Sequence, residues 1–308
     1  MNEPEKDLID TEDNNNEVYK SERLGDFYLE IQDDNRDRNL LKAIESYRKA
    51  LTMISATDEP VRYSRILNNI GTAYKQLNQE DKISNLLKSI DHFLLAMAIR
   101  EKTNDKEGLC MTMSNLAAVY IDLNLLGGKK YLNRAIDLLK TSLKYRSRKD
   151  DPEGYCITCK NLGIAYYHFH RGNRKQNLQK SIDYFHKSLK FAPENIGSIE
   201  IADRMKNIAA AWFEMPGDEK KKNLERSVEW FTNALSYMEG NVEEIEYAKT
   251  KFNLAIAMIN LAEIKNETPN SDVEKHLEYA EEKLGKDAKY KKIVKGAFLK
   301  LNKLRSVN

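Results

Sequence analysis

Residues 161–189, NLGIAYYHFHRGNRKQNLQKSIDYFHKSL, read as two helices joined by a short polar turn. In the first half, Leu162, Ala165, Tyr166 and Phe169 share one face of a helix with about 3.6 residues per turn. In the second half, Leu178, Ser181, Ile182, Phe185 and Leu189 do the same. His170-Arg171-Gly172-Asn173-Arg174 between them is a break signal. A hairpin of helices this short cannot bury its own apolar stripe, so it needs like neighbours.

The neighbours recur at one period. Asn69, Asn115, Asn161, Asn207 and Asn253 are each 46 residues apart, and Arg23 holds the same place in the first unit. The next column is aliphatic: Leu24, Ile70, Leu116, Leu162, Ile208, Leu254. The one after it is small: Gly25, Gly71, Ala117, Gly163, Ala209, Ala255. Three residues further on stands a large ring in all but the last unit: Tyr28, Tyr74, Tyr120, Tyr166, Trp212, then Met258. In the second helices the columns are Leu40, Leu86, Leu132, Leu178, Leu224 and Ile44, Ile90, Ile136, Ile182, Val228. Small residues let helices approach, rings fill the space between units, and branched aliphatics seal the core.

The chain has 308 residues with only six prolines and thirteen glycines, which suits an all-helical protein growing along one axis rather than around one core. First helices are expected near 18–32, 60–78, 106–124, 152–170, 198–215 and 243–265. Partner helices are expected near 37–55, 82–102, 129–147, 174–192 and 220–239. The sixth unit is degenerate, because Val273 and Glu274 depart from the small-then-aliphatic columns. A last helix near 287–305 carries Tyr290, Ile293, Val294, Ala297, Phe298, Leu301 and Leu304 on one side and reads as a cap with its lysines in water. The domain reading is an acidic tail at 1–17, expected to be disordered, then repeats over 18–284 and a basic capping helix at 285–308.

The net charge of +2, from 50 basic and 48 acidic residues, gives no global field for nucleic acid. The ends differ: residues 1–17 hold seven acids and one lysine, whereas 285–308 hold eight Lys or Arg and one aspartate. Three cysteines make no even disulfide framework, and neither a signal peptide nor a long apolar run is seen, so a soluble cytoplasmic protein with no transmembrane segment is expected.

The columns resemble the tetratricopeptide repeat. The resemblance is carried by Cys159, Leu162-Gly163, Tyr166, Ser181, Phe185 and Ser188, and in the first unit by Leu24-Gly25, Tyr28, Ala43, Tyr47 and Ala50. It covers about 18–284, with a unit of 46 residues against the family's usual length of about 34. It implies an all-α, right-handed superhelical solenoid of antiparallel helix pairs with a C-terminal capping helix. It also implies a non-enzymatic scaffold that binds a protein or an extended peptide in a groove lined by first helices.

Chemistry has little support in the sequence. Cys156 and Cys159 form a Cys-x-x-Cys pair, but Cys156 shares its column with Ser64, Cys110, Ala202 and Ala248, and Cys159 shares its own with Leu67, Met113 and Met205. Both read as core positions rather than a redox or metal pair. His168 and His170 are two apart on a helix and point in different directions. No phosphate-binding loop, nucleophile elbow or metalloprotease motif is present, so no cofactor and no enzyme activity are expected.

If first helices line a groove, the residues one before, three after and six after the repeated asparagine share its face. These include Lys160 and Lys206, then Ile164, then Ile121, Tyr167 and Phe213. With Asn69, Asn115, Asn161, Asn207 and Asn253 they form the candidate peptide-binding set. The amides can pair with a bound backbone, the apolar groups take its side chains, and the lysines favour an acidic segment. The same asparagines could instead tie neighbouring helices together. Some members of the resembled family clamp a terminal carboxylate with lysines and asparagines. Lys160, Asn207 and Lys249 match parts of that clamp, but Ile164 and Asn253 stand where an asparagine and a basic residue belong, so the clamp is incomplete. Nucleic acid or an anionic surface is the competing partner, through Lys289, Lys291, Lys292, Lys295, Lys300, Lys303 and Arg305, and self-association is a further alternative.

Overall fold

The computed structural model describes residues 17–78, 81–128, 130–240 and 243–307. The expected acidic tail therefore lies outside the described residues, apart from Glu17, which opens the first helix. Thirteen α-helices make up the described chain: α1 Glu17–Glu30, α2 Arg36–Leu51, α3 Pro60–Gln76, α4 Lys82–Thr103, α5 Lys106–Leu125, α6 Tyr131–Tyr145 and α7 Pro152–Tyr167, followed by α8 Arg174–Lys190, α9 Ser198–Glu214, α10 Lys220–Met238, α11 Glu244–Lys265, α12 Ser271–Leu284 and α13 Ala288–Val307. The starts of α3, α5, α7, α9 and α11 are spaced 46 residues apart, as the asparagine column is. They pair as antiparallel hairpins, the arrangement of an all-α solenoid with a terminal helix. The chain divides into two compact units, residues 1–154 and 155–308.

In the first unit α1 packs on α2, α3 on α4 and α5 on α6, while α2 meets α3 and α4 meets α5. Its core includes Tyr28, Leu40, Tyr47, Ile66, Ile70 and Tyr74. Gly25 and Gly71 have a packing reason: a Cβ would lie 2.6 Å from the Tyr47 ring and 2.8 Å from the Phe93 ring. Asp105 caps α5 by accepting from Gly108 N at 3.0 Å, and Asp151 accepts from Gly154 N at 2.8 Å. Both aspartates also pair with a buried arginine, Arg100 at 3.5 Å and Arg146 at 3.4 Å.

In the second unit α8 packs on α9, α9 on α10, α10 on α11 and α11 on α12. The internal logic matches that of the first. Gly163 yields to the Phe185 ring, 2.9 Å from where a Cβ would stand. Ser181 donates to Gly163 O at 2.7 Å and Ser227 to Ala209 O at 2.9 Å, as Ser89 does to Gly71 O at 2.6 Å in the first unit. In three hairpins this small column thus carries a serine that satisfies a first-helix carbonyl, whereas Ala43 and Ala135 hold it in two others. Cys156 and Cys159 are buried at 1% and 0% exposure, and burial pushes the Cys159 thiol up to about 11. Among the described residues no group of three His, Cys, Asp or Glu could hold a metal ion, and no helix is long and apolar enough to cross a membrane.

The sixth hairpin keeps its phase despite its sequence. Val273, Leu277 and Ala280 of α12 are fully buried. Glu274, in the aliphatic column, accepts from Arg305 of α13 at 3.0 Å. The terminal helix buries Val294, Ala297 and Leu301 against α11 and α12. Lys289, Lys291, Lys292, Lys295 and Lys303 are exposed, and Lys300 is partly so. Lys300 reaches Glu263 at 2.6 Å and Asn260 at 2.6 Å, so it pins the helix down.

Candidate functional site

In the second unit, successive turns of three first helices and the start of the last helix enclose an open cleft of about 680 Å³. Helix α7 supplies Lys160, Ile164 and Tyr167; α9 supplies Asp203, Lys206, Asn207 and Ala210; α11 supplies Glu246, Lys249 and Asn253. Spacings of three and four residues put each set on one face of its helix, so the lining follows from helical geometry. Helix α13 adds Lys289, Tyr290 and Ile293.

Charge in the cleft is unevenly paired. Glu246 bridges Lys249 at 2.6 Å and Lys206 at 3.6 Å, and Lys206 also meets Asp203 at 2.7 Å. The hydrogen bond from Lys249, with further help from Lys206, holds the Glu246 carboxyl below its ordinary value. Arg204 also lines the cleft and is only 3% exposed, donating to Ser188 Oγ at 2.8 Å, Glu200 O at 2.5 Å and Cys156 Sγ at 3.5 Å. At the far end of α7, burial with His170 nearby holds the His168 imidazole below its ordinary value.

The candidate residues meet different fates. Lys160, Ile164, Tyr167, Lys206, Asn207 and Asn253 come together in this cleft. Tyr167 is partly committed, since its hydroxyl donates to Glu214 at 2.5 Å and the Arg174 guanidinium lies 5.5 Å from its ring centre. Asn207 turns its amide onto Asp203 O at 2.7 Å, whereas Asn253 is exposed. Phe213 is absent from the lining; it packs against the core beside α10, with Lys220 5.3 Å from its ring centre. Asn161 is buried at 8% exposure.

Asn69, Asn115 and Ile121 belong to the first unit. Asn69 donates to Asp26 at 3.2 Å and to Tyr47 at 3.3 Å, so it links α3 to α1 and α2. Asn115 donates to Asn68 at 3.2 Å and links α5 to α3. Ile121 is core, at 4% exposure. In this unit the asparagine column therefore ties helices together.

Several cleft residues were not expected in the groove, among them Arg204, Glu246, Lys289, Tyr290 and Ile293. A charge-column signal could have found Glu246. Four periods separate Glu22, Arg62 and Arg65 from Lys206, Glu246 and Lys249, and the acid and base exchange places. The contribution of α13 had no such signal, because that helix stands outside the repeat.

No protein-family model and no curated protein matches the chain by sequence. Solved structures do match it. A signal transduction ATPase with numerous domains from Pyrococcus horikoshii, which carries a tetratricopeptide repeat sensor, aligns over 98% of this chain with a TM-score of 0.66 and 17% identity. The hetero-tetramer Cut9–Hcn1 of the APC/C aligns over 96% with a TM-score of 0.61 and 14% identity. The likeness is one of fold. The chain spans only 40% and 45% of those two proteins. A Rap protein complexed with Competence and Sporulation Factor aligns over 94% of this chain and 75% of its own, with a TM-score of 0.56 and 13% identity.

Proposed function

We propose that the chain is a non-enzymatic protein-interaction module whose second unit binds an extended acidic segment of a protein partner. The observation that carries this reading is the convergence of Lys160, Lys206 and Lys249 from three successive first helices in one open cleft. Ile164, Tyr290 and Ile293 give that cleft apolar wall for side chains, and Asn207 and Asn253 bring amides that can pair with a bound backbone. Each such bond contributes a net of about 0.5–1.5 kcal/mol, so the ligand must span several turns to bind usefully. The resemblance to tetratricopeptide repeats and the fold likeness to a protein with a tetratricopeptide repeat sensor, to a hetero-tetramer and to a protein complexed with Competence and Sporulation Factor support a binding role.

The test is capture from cell extract by the wild-type chain and by Lys206→Glu/Lys249→Glu. The double variant keeps the helical circular-dichroism signal and loses the captured partner. Identical capture by both proteins would remove the cleft from the function. A partner lost from the wild type on nuclease treatment would move the assignment to nucleic acid and the exposed lysines of α13.

A further inference from the structure

Arginines with covered side chains recur beside the starts of successive first helices. In the first unit Arg100 is 3% exposed and donates to Gly108 O, Thr112 Oγ1 and Ser64 Oγ, with Asp105 as its counter-ion at 3.5 Å. One period later Arg146 repeats the pairing with Asp151 at 3.4 Å. Glycines at 108 and 154 make room: a Cβ on Gly108 would stand 2.8 Å from the Arg100 guanidinium carbon, and one on Gly154 would strike Arg146.

One period further on, the pattern is rebuilt from the opposite side. Ala192 replaces the arginine, Gly197 replaces the aspartate, and Glu200 replaces the glycine. The guanidinium now comes from Arg204, in the column of Thr112, and its bonds to Glu200 O and Cys156 Sγ match those of Arg100 to Gly108 O and Ser64 Oγ. The cation is kept while its counter-ion is lost. Among the described residues no carboxylate pairs with Arg204, and none pairs with exposed Lys289. A buried cation that has hydrogen-bond acceptors but no counter-ion is costly unless something else meets its charge.

Resting on the reading of the cleft as a segment-binding site, we propose that it contains a subsite for a phosphomonoester carried by the bound segment. The cleft lines up Arg204, Lys206, Lys249 and Lys289 against Asp203 and Glu246. A phosphomonoester carries about −1.5 to −2 charge near neutral pH and so matches that excess better than one carboxylate. Its oxygens also accept several charge-assisted bonds at once, which a wall of lysine ammonium groups can supply.

The experiment measures binding of three fluorescent peptides that differ at one central residue, phosphoserine, serine or glutamate, each flanked by acidic residues, at fixed ionic strength. Inorganic phosphate and free O-phosphoserine serve as competitors. The wild-type chain binds the phosphopeptide about tenfold more tightly than the serine peptide, with the glutamate peptide near serine. In Arg204→Met the ratio of phosphoserine to serine binding collapses to within about twofold. Should that variant fail to fold, Lys289→Ala at the surface lowers the same ratio by about threefold. Competition by free O-phosphoserine as strong as by the phosphopeptide would reassign the site to a small phosphomonoester and overturn its place on a segment. Equal binding of all three peptides, still abolished by Lys206→Glu/Lys249→Glu, would overturn the phosphoryl subsite and leave the acidic-segment reading intact. Binding that the double variant does not change would sink both.

Discussion

In the first unit, Glu22 lies with its side chain 4% exposed between Arg62 at 2.7 Å and Arg65 at 2.6 Å. Four periods later, in the second unit, the same positions hold Lys206, Glu246 and Lys249, and the acid is 44% exposed. One arrangement buries its acid in a clamp between helices, the other leaves its acid open on the wall of a cleft. The neighbouring columns differ in the same sense. Asn68 and Asn115 close on each other and on Thr112 in the first unit, whereas Lys160, Asn207 and Asn253 border open space in the second. A repeat scaffold can therefore spend the same face on cohesion in one place and on recognition in another. What changes is the residue at a column position, not the backbone that carries it.

The two units should not differ in their hairpin cores. Phe93→Ala and Phe185→Ala empty equivalent, fully buried sites, and each is expected to cost about 3–5 kcal/mol in urea denaturation. Unequal losses would mean that the two hairpin cores are not equivalent, and the contrast between their faces would lose its footing. The next effect should separate the units. Arg100→Met strips three acceptors and Asp105 of their donor, and is expected to cost about 2–4 kcal/mol. Arg204→Met also strips three acceptors but orphans no carboxylate, so it is expected to cost less, about 1–2 kcal/mol. A matching loss at both arginines would show that the missing counter-ion has no energetic consequence.

Smaller shifts come from the acids. Glu22→Gln removes a buried acid and is expected to cost about 2–3 kcal/mol, against less than about 1 kcal/mol for Glu246→Gln, whose own carboxylate is 44% exposed. The smallest effect is a pH dependence. The Glu246 carboxyl is held below its ordinary value, chiefly by the hydrogen bond from Lys249. The stability it contributes is therefore fully present above the ordinary carboxylate range and drains away as pH falls through the depressed folded value. Unfolding free energies of wild type and Glu246→Gln should differ by a few tenths of a kcal/mol near neutrality and converge once pH falls below the depressed folded value. A gap that persists in acid would assign the effect to packing instead.

Much of the fold was legible because burial repeats itself. The small column at Gly25, Gly71 and Gly163 announced close approach, and those glycines face the rings of Tyr47, Phe93 and Phe185. The helix starts followed the asparagine spacing across five units. The cleft was legible only in part. Lys160, Ile164, Lys206 and Asn253 could be placed on a shared face from their spacing, but Phe213 and Ile121 occupy the same column as Tyr167 and still turn toward the core. Nothing periodic announced Lys289, Tyr290 or Ile293, since α13 has no counterpart elsewhere in the chain.

The sequence by itself determined that this protein is a stack of helical hairpins, because an apolar stripe that recurs in phase can be buried only against copies of itself. The tertiary structure decided what each polar residue on those hairpins does. Asn69 finds Asp26 and Tyr47 within reach, Asn253 has open cleft before it, and Arg204 sits where Gly197 has removed the aspartate that its counterparts enjoy. Apolar burial is non-directional and averages over a whole face. A hydrogen bond or an ion pair depends on one donor meeting one acceptor across helices some 40 residues apart, as Arg62 meets Glu22, and only the folded chain brings them together.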